Sequence, residues 1–514
     1  MKKWLLILLL ALINFQIAYG QDTGKDNFAV KGFHLDLRIQ VMPLEGLKKL
    51  AVQLHNGGIN TLIMEYEATY PFEKHALIPN RYAYSKAEII SFVKFCNQLH
   101  IDVIPLQQSF GHVEYILRHY RYAALREDQK DLSQVCPLQT TADSLLFSDL
   151  YKELAATHNS KYIHIGCDET HLLGHCPLCS KKVAEEGVSK LYIDYVRMLC
   201  NIVIKMGKRP VLWADIALKY PDAIKELPKQ TIFIDWNYGW ELSRFGEHQK
   251  LMESGFEIWG APALRSHPDN YFLTQWEKHF NNIHNFVPYG RKSGYKGMVM
   301  TSWSTSGEYD GVYESSTDLI DLYAIRHVYP LAGFNMLLAA YMESLRSDKP
   351  LDIPGFIQRY CASHYGLNTT QSLKFWQALK MTPYEVVNGE VKSPKPISLV
   401  MLTDSANEAA KMLHAIIPLK GKTEFEHYRL MADIRLQYLQ YQGIEQQANS
   451  PTFTPAQAPA LLTKLNKLKA NGHLLDERFA TLNKGVLYPA DIAEENQLRN
   501  QKINLLFYRL SKSK

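Results

Sequence analysis

From residue 31 onward, short β-branched or apolar runs alternate with longer stretches whose apolar residues recur at helical spacing, and the alternation repeats eight times before residue 303. The runs are 32–39, 61–66, 102–106, 161–165, 210–214, 231–236, 257–261 and 297–302. Amphipathic segments lie between them at 44–56, 86–99, 189–206 and 276–286, with Gly57-Gly58 and Gly207 placed as helix stops. Eight strand–helix units in series predict an α/β chain whose residues 31–330 form a (β/α)8 TIM barrel. A doubly wound open sheet is the competing architecture, but no Gly-x-Gly-x-x-Gly follows the first run, so a dinucleotide fold lacks its phosphate loop. After about Pro330 the strand patterns stop, and residues 331–514 read as a helical C-terminal region. Leu430, Ile434, Tyr438 and Tyr441, for example, share one face of a segment over 425–442, while the proline-bearing stretch 381–397 is expected to be a loop. This tail gathers no cluster of acids, histidines and aromatics, and it reads as a packing or interaction region.

Residues 1–20 begin Met1-Lys2-Lys3, continue through an apolar run from Trp4 to Ile13 and reach the small-residue pattern Ala18-Tyr19-Gly20, which predicts a secretory signal peptide cleaved near Gly20. A spanning helix needs ~20 apolar residues, and Asn14 and Gln16 interrupt the run well short of that. No cysteine follows the cleavage point to carry a lipid anchor. The expected product is exported, periplasmic or extracellular, without stable membrane insertion. Of 57 basic and 52 acidic side chains, the leader carries away two lysines, and so small an excess gives no reason to expect a nucleic-acid partner. Seven cysteines leave at least one unpaired. Most read as core thiols, but His175-Cys176-Pro177-Leu178-Cys179 has a spacing that would close a disulfide or supply zinc ligands together with His171 or His175. Nothing in the pattern fixes the oligomeric state.

In a barrel, chemistry collects where the strands end. The fourth run ends His164-Ile165-Gly166-Cys167-Asp168-Glu169. Two adjacent carboxylates in a confined mouth push one pKa upward and leave an acid able to donate a proton near neutrality. The other ends offer Asp36-Leu37-Arg38, Glu65-Tyr66-Glu67, Phe110-Gly111-His112, Trp213-Ala214-Asp215, Asp235-Trp236-Asn237-Tyr238 and Trp303. Aromatic faces cover the apolar side of a pyranose while charged groups hold its hydroxyls, so several aromatics at separate mouths among acids and an arginine point to a sugar site.

His164-Ile165-Gly166-Cys167-Asp168-Glu169 resembles the His-x-Gly-x-Asp-Glu signature of glycoside hydrolase family 20, the β-N-acetylhexosaminidases. The hexosaminidase D branch is the nearer likeness, through His34-Leu35-Asp36-Leu37, Glu65-Tyr66-Glu67, the run from Val103 to His112, and Leu173-Gly174. The resemblance covers roughly residues 31–310 and leaves out the tail. It implies hydrolysis of a terminal β-linked N-acetylglucosamine or N-acetylgalactosamine with retention, in which the sugar's 2-acetamido oxygen is the nucleophile. By position it implies Glu169 as acid and then base, Asp168 as the partner of the acetamido nitrogen, and Tyr238 on the acetamido oxygen. Arg38, Glu67, His112 and His164 would bind substrate, and Trp213, Trp236 and Trp303 would wall the pocket. The partner is a glycan with a terminal N-acetylhexosamine, and the resemblance implies neither cofactor nor metal.

The chain departs from that pattern at several points. Cys167 stands where the signature usually has its second glycine, Arg38 where the branch often has lysine, and Tyr238 follows strand six where the family tyrosine usually follows strand seven. Trp303-Ser304-Thr305 replaces Trp-x-Glu, with Glu308 or Asp310 as substitutes for the glutamate. Two rival readings are a metal-dependent hydrolase using His34, Asp36, His112 and His164, and a glycan-binding barrel without catalysis.

Overall fold

In each barrel strand the apolar residues divide between two faces. Val30, Ile63, Ile104, Leu106, Val211, Ile232, Ile234 and Val299 meet in the interior of the sheet, whereas Phe33, Leu35, Leu62, Met64, Val103, Leu212 and Phe233 pack outward under the helices. The computed structural model describes residues 28–512 except 243, 247, 306–308, 314–319 and 325–326, with backbone alone at 309–313 and 320–324. The expected leader over 1–20 therefore lies outside the described residues.

The strands are β1 (Val30–Asp36), β2 (Thr61–Glu65), β3 (Asp102–Leu106), β4 (Tyr162–His164), β5 (Arg209–Trp213), β6 (Ile232–Trp236), β7 (Glu257–Ala261), β8 (Ala263–Arg265) and β9 (Gly297–Ser302). β1 to β7 and β9 pair in parallel and in chain order, and β9 returns to β1 with Gly32 opposite Val299, which closes the eight-stranded barrel. All eight predicted runs are the barrel strands. β8 was not anticipated: three residues, too short for a periodicity signal, run beside the end of β9. The predicted helix at 44–56 is Leu44–Asn56, stopped by Gly58 at φ 84, and that at 86–99 is Lys86–Gln98, opened by a reciprocal Ser85–Glu88 capping box.

Beyond residue 330 lie the helices Asn335–Arg346, Ile353–Tyr360, Thr369–Lys380, Leu399–Ala415, Lys422–Ala448, Ala458–Asn483 and Pro489–Lys512. One apolar cluster continues from Phe33, Leu62 and Leu199 of the barrel layer into Tyr341, Tyr365, Phe425 and Phe479 of this region. Tyr341 donates its hydroxyl to the carbonyls of Gly32 (3.0 Å) and Met298 (2.7 Å), on the two strands that close the barrel. The stretch 381–397 is not wholly loop. Glu385–Val387 and Glu390–Lys392 pair around Asn388-Gly389, both at positive φ, which is the Asn-Gly signal of a two-residue hairpin. A second antiparallel pair, Tyr309–Tyr313 with Ile320–Ala324, follows β9. No helix among the described residues is long and apolar enough to cross a membrane.

Two glycines predict opposite outcomes. A Cβ on Gly297 would lie 2.8 Å from both Trp259 Cγ and Val30 Cβ inside the barrel. Gly297→Ala is expected to cost about 1–3 kcal/mol in urea unfolding. Gly443, mid-helix in Lys422–Ala448, has nothing within 4 Å of an added Cβ. Gly443→Ala is expected to gain about 0.5–1 kcal/mol, and a loss there would refute the open space.

Candidate active site

β4 ends after three residues because Gly166 and Cys167 turn into left-handed backbone at φ 70 and 72. A Cβ on Gly166 would sit 1.9 Å from Gln108 Oε1, so any side chain there would displace Gln108 from the acid it holds, Glu65. Cys167 accepts a conformation that glycine takes freely, at a strain of about 1–3 kcal/mol. The turn delivers Asp168 and Glu169 to the mouth, Glu169 itself at φ 47. Facing it, the loop after β3 brings His112 at φ 54, and Gly111 presses so close that an added Cβ would be 2.4 Å from the Asp168 carbonyl oxygen. Of six non-glycine residues with positive φ among the described residues, Glu67, His112, Cys167 and Glu169 stand at this one mouth. Strain of that kind is retained where the surrounding packing enforces it.

His112 joins the two acids. Its Nε2 lies 3.1 Å from Glu169 Oε2 and 3.4 Å from Asp168 Oδ2. Burial works to lower the imidazole's pKa, but Asp168 and Glu169 overcome it and hold His112 well above its ordinary value. For Glu169, burial raises the pKa and the hydrogen bond and charge of His112 outweigh it, so the carboxyl falls below its usual value. The two acids differ in access. The Asp168 side chain is 8% exposed and its Oδ1 is buried with no hydrogen-bond partner, while the Glu169 side chain is 39% exposed.

On the opposite wall Arg38 Nε and Nη2 donate to Asp36 at 3.1 and 3.2 Å, and Asp36 also accepts from the Ser304 backbone (2.8 Å) and hydroxyl (2.9 Å). Burial alone would raise the Asp36 pKa, but Arg38 and these bonds bring it down. Glu67 lies 4.0 Å from Arg38 Nε, and burial, reinforced by Glu65, Asp36 and Glu114, keeps its carboxyl well above the ordinary range despite Arg38. A neutral buried carboxyl can both donate to and accept from a hydroxyl.

Aromatic rings complete the enclosure. Trp303 lies tilted against His34 (4.6 Å) and under Arg38 (5.1 Å), and its Nε1 donates to Tyr238 Oη at 3.0 Å. Tyr238 in turn packs on Trp236 and Trp240, with ring centres 5.0 and 5.2 Å away. Trp213 is 1% exposed and forms the floor against Trp303 and His164.

The structure thus brings together Arg38, Glu67, His112, Asp168, Glu169, Trp213, Trp236, Tyr238 and Trp303. His164 is not at the surface of this mouth. It is fully buried beneath Trp213, its Nδ1 accepts from Gly166 N at 3.1 Å, and burial holds it well below its ordinary pKa. His34 is tied to Glu65 (2.8 Å) and Asp36 to Arg38, so those two do not converge with His112 and His164 on one metal point. Glu308 lies outside the described residues, and of Asp310 the backbone alone is described, opposite Tyr323. Two residues given no role from sequence belong here. Trp240 extends the aromatic wall, and Asp215 accepts from Glu169 N at 3.0 Å and from Trp236 Nε1 at 3.4 Å. Asp215 stood at a strand end beside Trp213, which was the signal available; its bond to the backbone of the loop after β4 was not.

Residues 61–317 match the model of glycosyl hydrolase family 20, catalytic domain, which is half of the chain. The chain belongs to glycosyl hydrolase family 20. That makes it a glycoside hydrolase of the β-N-acetylhexosaminidase class, as the motifs implied. The family 20 match begins at β2, so Arg38 precedes it. Among curated proteins, Hexosaminidase D of Homo sapiens is 25% identical over 363 residues, covering 67% of this chain and 75% of that protein. Hexosaminidase D of Bos taurus is 27% identical over 290 residues, covering 52% of this chain and 83% of that protein. Among solved structures, the β-N-acetylhexosaminidase from Bacteroides fragilis NCTC 9343 aligns with a TM-score of 0.49 at 15% identity, covering 68% of this chain and 71% of that one.

Asp215 gives this family 20 site a pH signature. Burial, then Asp168, raises its pKa from 3.8 to about 7. Between those values the folded state holds a proton that the unfolded state has lost, so stability falls as pH rises from about 4 to about 7 and levels off above. Asp215→Asn should remove that part of the fall. Unfolding free energies at pH 5 and pH 8 should differ less in the variant than in the parent; an equal difference would show that Asp215 does not titrate in this range.

Proposed function

We propose that this family 20 hydrolase is an exported exo-β-N-acetylhexosaminidase that removes terminal β-linked N-acetylglucosamine or N-acetylgalactosamine with retention, by substrate-assisted catalysis. The observation that carries the reading is the division between the two acids: a buried Asp168 whose Oδ1 lacks a partner, beside an accessible Glu169, both on one nitrogen of His112. A buried carboxylate oxygen without a partner is costly and suits an amide N–H arriving with the substrate. The resemblance to proteins named Hexosaminidase D supports the same sugar class. Export rests on Lys2-Lys3 and the apolar run that follows.

In the first step the substrate's acetamido oxygen attacks C1 while its N–H donates to Asp168 Oδ1. Glu169 protonates the departing glycosidic oxygen. Because Glu169 is ionised before substrate binds, its proton comes from His112 across their 3.1 Å hydrogen bond, which turns an ion pair into a neutral pair as the sugar excludes water. Tyr238 Oη accepts from Trp303, and its own proton would turn to the acetamido oxygen as substrate binds. Water then opens the cyclic oxazolinium intermediate with Glu169 acting as base, and the β configuration is restored. Arg38 and Glu67 take the ring hydroxyls.

Glu169→Gln keeps the shape and removes the proton donor. It is expected to lower kcat by about 10²–10⁴ on substrates with poor leaving groups and much less on aryl glycosides with acidic phenols. Equal losses on both would mean that Glu169 is not the acid. A second prediction separates this route from an enzyme-borne nucleophile. Replacing the 2-acetamido group by hydroxyl should leave the substrate inert, and a thiazoline mimic of the intermediate should inhibit far more tightly than substrate binds. Asp168→Asn should weaken that inhibitor along with turnover. Rapid hydrolysis of a β-glucoside, or a sugar trapped covalently on Asp168 by a 2-fluoro glycoside, would overturn the mechanism.

A further inference from the structure

Four side chains outside the sugar pocket converge between the loops after β3 and β4. Cys136 Sγ lies 3.6 Å from Cys176 Sγ and 3.5 Å from Cys179 Sγ, and Cys179 Sγ lies 3.3 Å from Glu127 Oε2. The ligand atoms of all four fall within 4.8 Å of one another. A tetrahedral zinc with bonds of about 2.3 Å to sulfur separates its sulfurs by about 3.8 Å, whereas a disulfide needs about 2.05 Å. We propose that Glu127, Cys136, Cys176 and Cys179 form a structural zinc site that clamps these two loops together.

The surroundings suit such a site. Cys176 N donates to Glu127 Oε1 at 2.8 Å, which turns Oε2 toward the thiols. Cys179 N donates to Cys176 Sγ at 3.4 Å, and Cys176 caps the helix Pro177–Glu186, so its sulfur stands at the positive end of that helix. These donors offset the negative charge that three thiolates and a carboxylate leave around a divalent ion. Thiolate-rich tetrahedral sets select zinc over the harder cations. The histidines that sequence spacing offered are elsewhere: His175 is half exposed and 2.7 Å from Asp128, and His171 is exposed. A disulfide would use two of the three sulfurs and strand the third beside Glu127. The clamp also reaches the chemistry, because the first loop carries His112 and the second carries Asp168 and Glu169.

The test is metal analysis of the full chain purified without added metal or reductant. We expect about one zinc per chain that survives gel filtration, with all seven cysteines titrating as thiols after denaturation in chelator. Cys136→Ser and Cys179→Ser should lose the metal, while His171→Ala and His175→Ala keep it. Chelation should lower the heat-unfolding midpoint of the parent, and zinc should restore it. Cobalt exchanged into the parent should give thiolate-to-metal charge-transfer absorption, a readout independent of whether the variants fold. Metal-free protein that takes up neither zinc nor cobalt would overturn the proposal, as would five thiols in place of seven, which would assign a disulfide. Zinc retained by both cysteine variants but lost with His175 would assign a different site.

Discussion

The loops after β3 and β4 meet with no room for one carbon atom between Gly111 and the carbonyl of Asp168. That approach sets the distance from His112 to both acids, and it obliges the chain on each side to take left-handed backbone at His112, Cys167 and Glu169. Conformations of this kind persist only where neighbours over-determine them. Here Asp215 holds the amide of Glu169 from β5, Gln108 fills the space over Gly166, and Gln134 Oε1 accepts from Leu172 N at 2.9 Å. The thiol cluster draws on the same two loops, Glu127 and Cys136 from the first and Cys176 and Cys179 from the second. The mouth is therefore pre-organised by contacts between loops rather than by the strands alone.

The same mouth holds an excess of buried acid: Asp36, Glu65, Glu67, Glu114, Asp168 and Asp215, with Glu169 less enclosed. Arg38 and His112 are too few to pair with all of them in the ionised state. The site divides the load. Asp36 and Glu169 stay ionised on their cations, while burial pushes Glu67 well up and Glu114 and Asp215 to about 7. A pocket already carrying neutral acids and an uncompensated carboxylate oxygen favours a ligand that brings positive charge as it reacts. In the mechanism proposed above, positive charge would develop toward the oxazolinium intermediate in the transition state, which is when such stabilisation counts.

The eight runs were legible because strand and helix periods differ and each recurs often enough to register. Their ends were legible to within a residue or two; the first run overshot because the apolar Leu37 and Ile39 extend the pattern, whereas the chain leaves the sheet there to bring Arg38 onto Asp36. β8 and the hairpin 385–392 have three-residue strands, below the length at which alternation can be counted, although Asn388-Gly389 marked the hairpin's turn. The residues of the mouth could be nominated because a barrel gathers its strand ends. What stayed hidden were pairings across long stretches of chain: Asp215 with the Glu169 amide, Ser304 with Asp36, and Cys136 with Cys179. His164 shows the converse, since the first residue of the signature still belongs to β4 and lies buried beneath Trp213 rather than at the opening.

The helical tail reaches the mouth through the segment that follows β1. Two residues beyond Arg38, Gln40 donates to Val328 O (2.6 Å) and accepts from Arg265 Nη1 (2.6 Å), while Arg265 also donates to Tyr329 O (2.8 Å) and Ser302 Oγ (2.9 Å). Val41 N donates to Asp491 on the last helix at 3.0 Å. Arg265 is buried and held down to about 10, and Glu495 beside Gln40 is pushed up to about 8, both by burial, so the tail closes over groups that would otherwise be hydrated. A buried network of this kind is costly when any member is lost. Its geometry ties the direction of the chain at Arg38 to the packing of Pro489–Lys512. The same helix supplies Asp491, Glu494 and Glu495 to a cavity of about 300 Å³ that Arg38, Asn80 and Tyr82 line from the barrel side. Sequence variation in the tail can therefore alter the surroundings of Arg38 without touching a strand end.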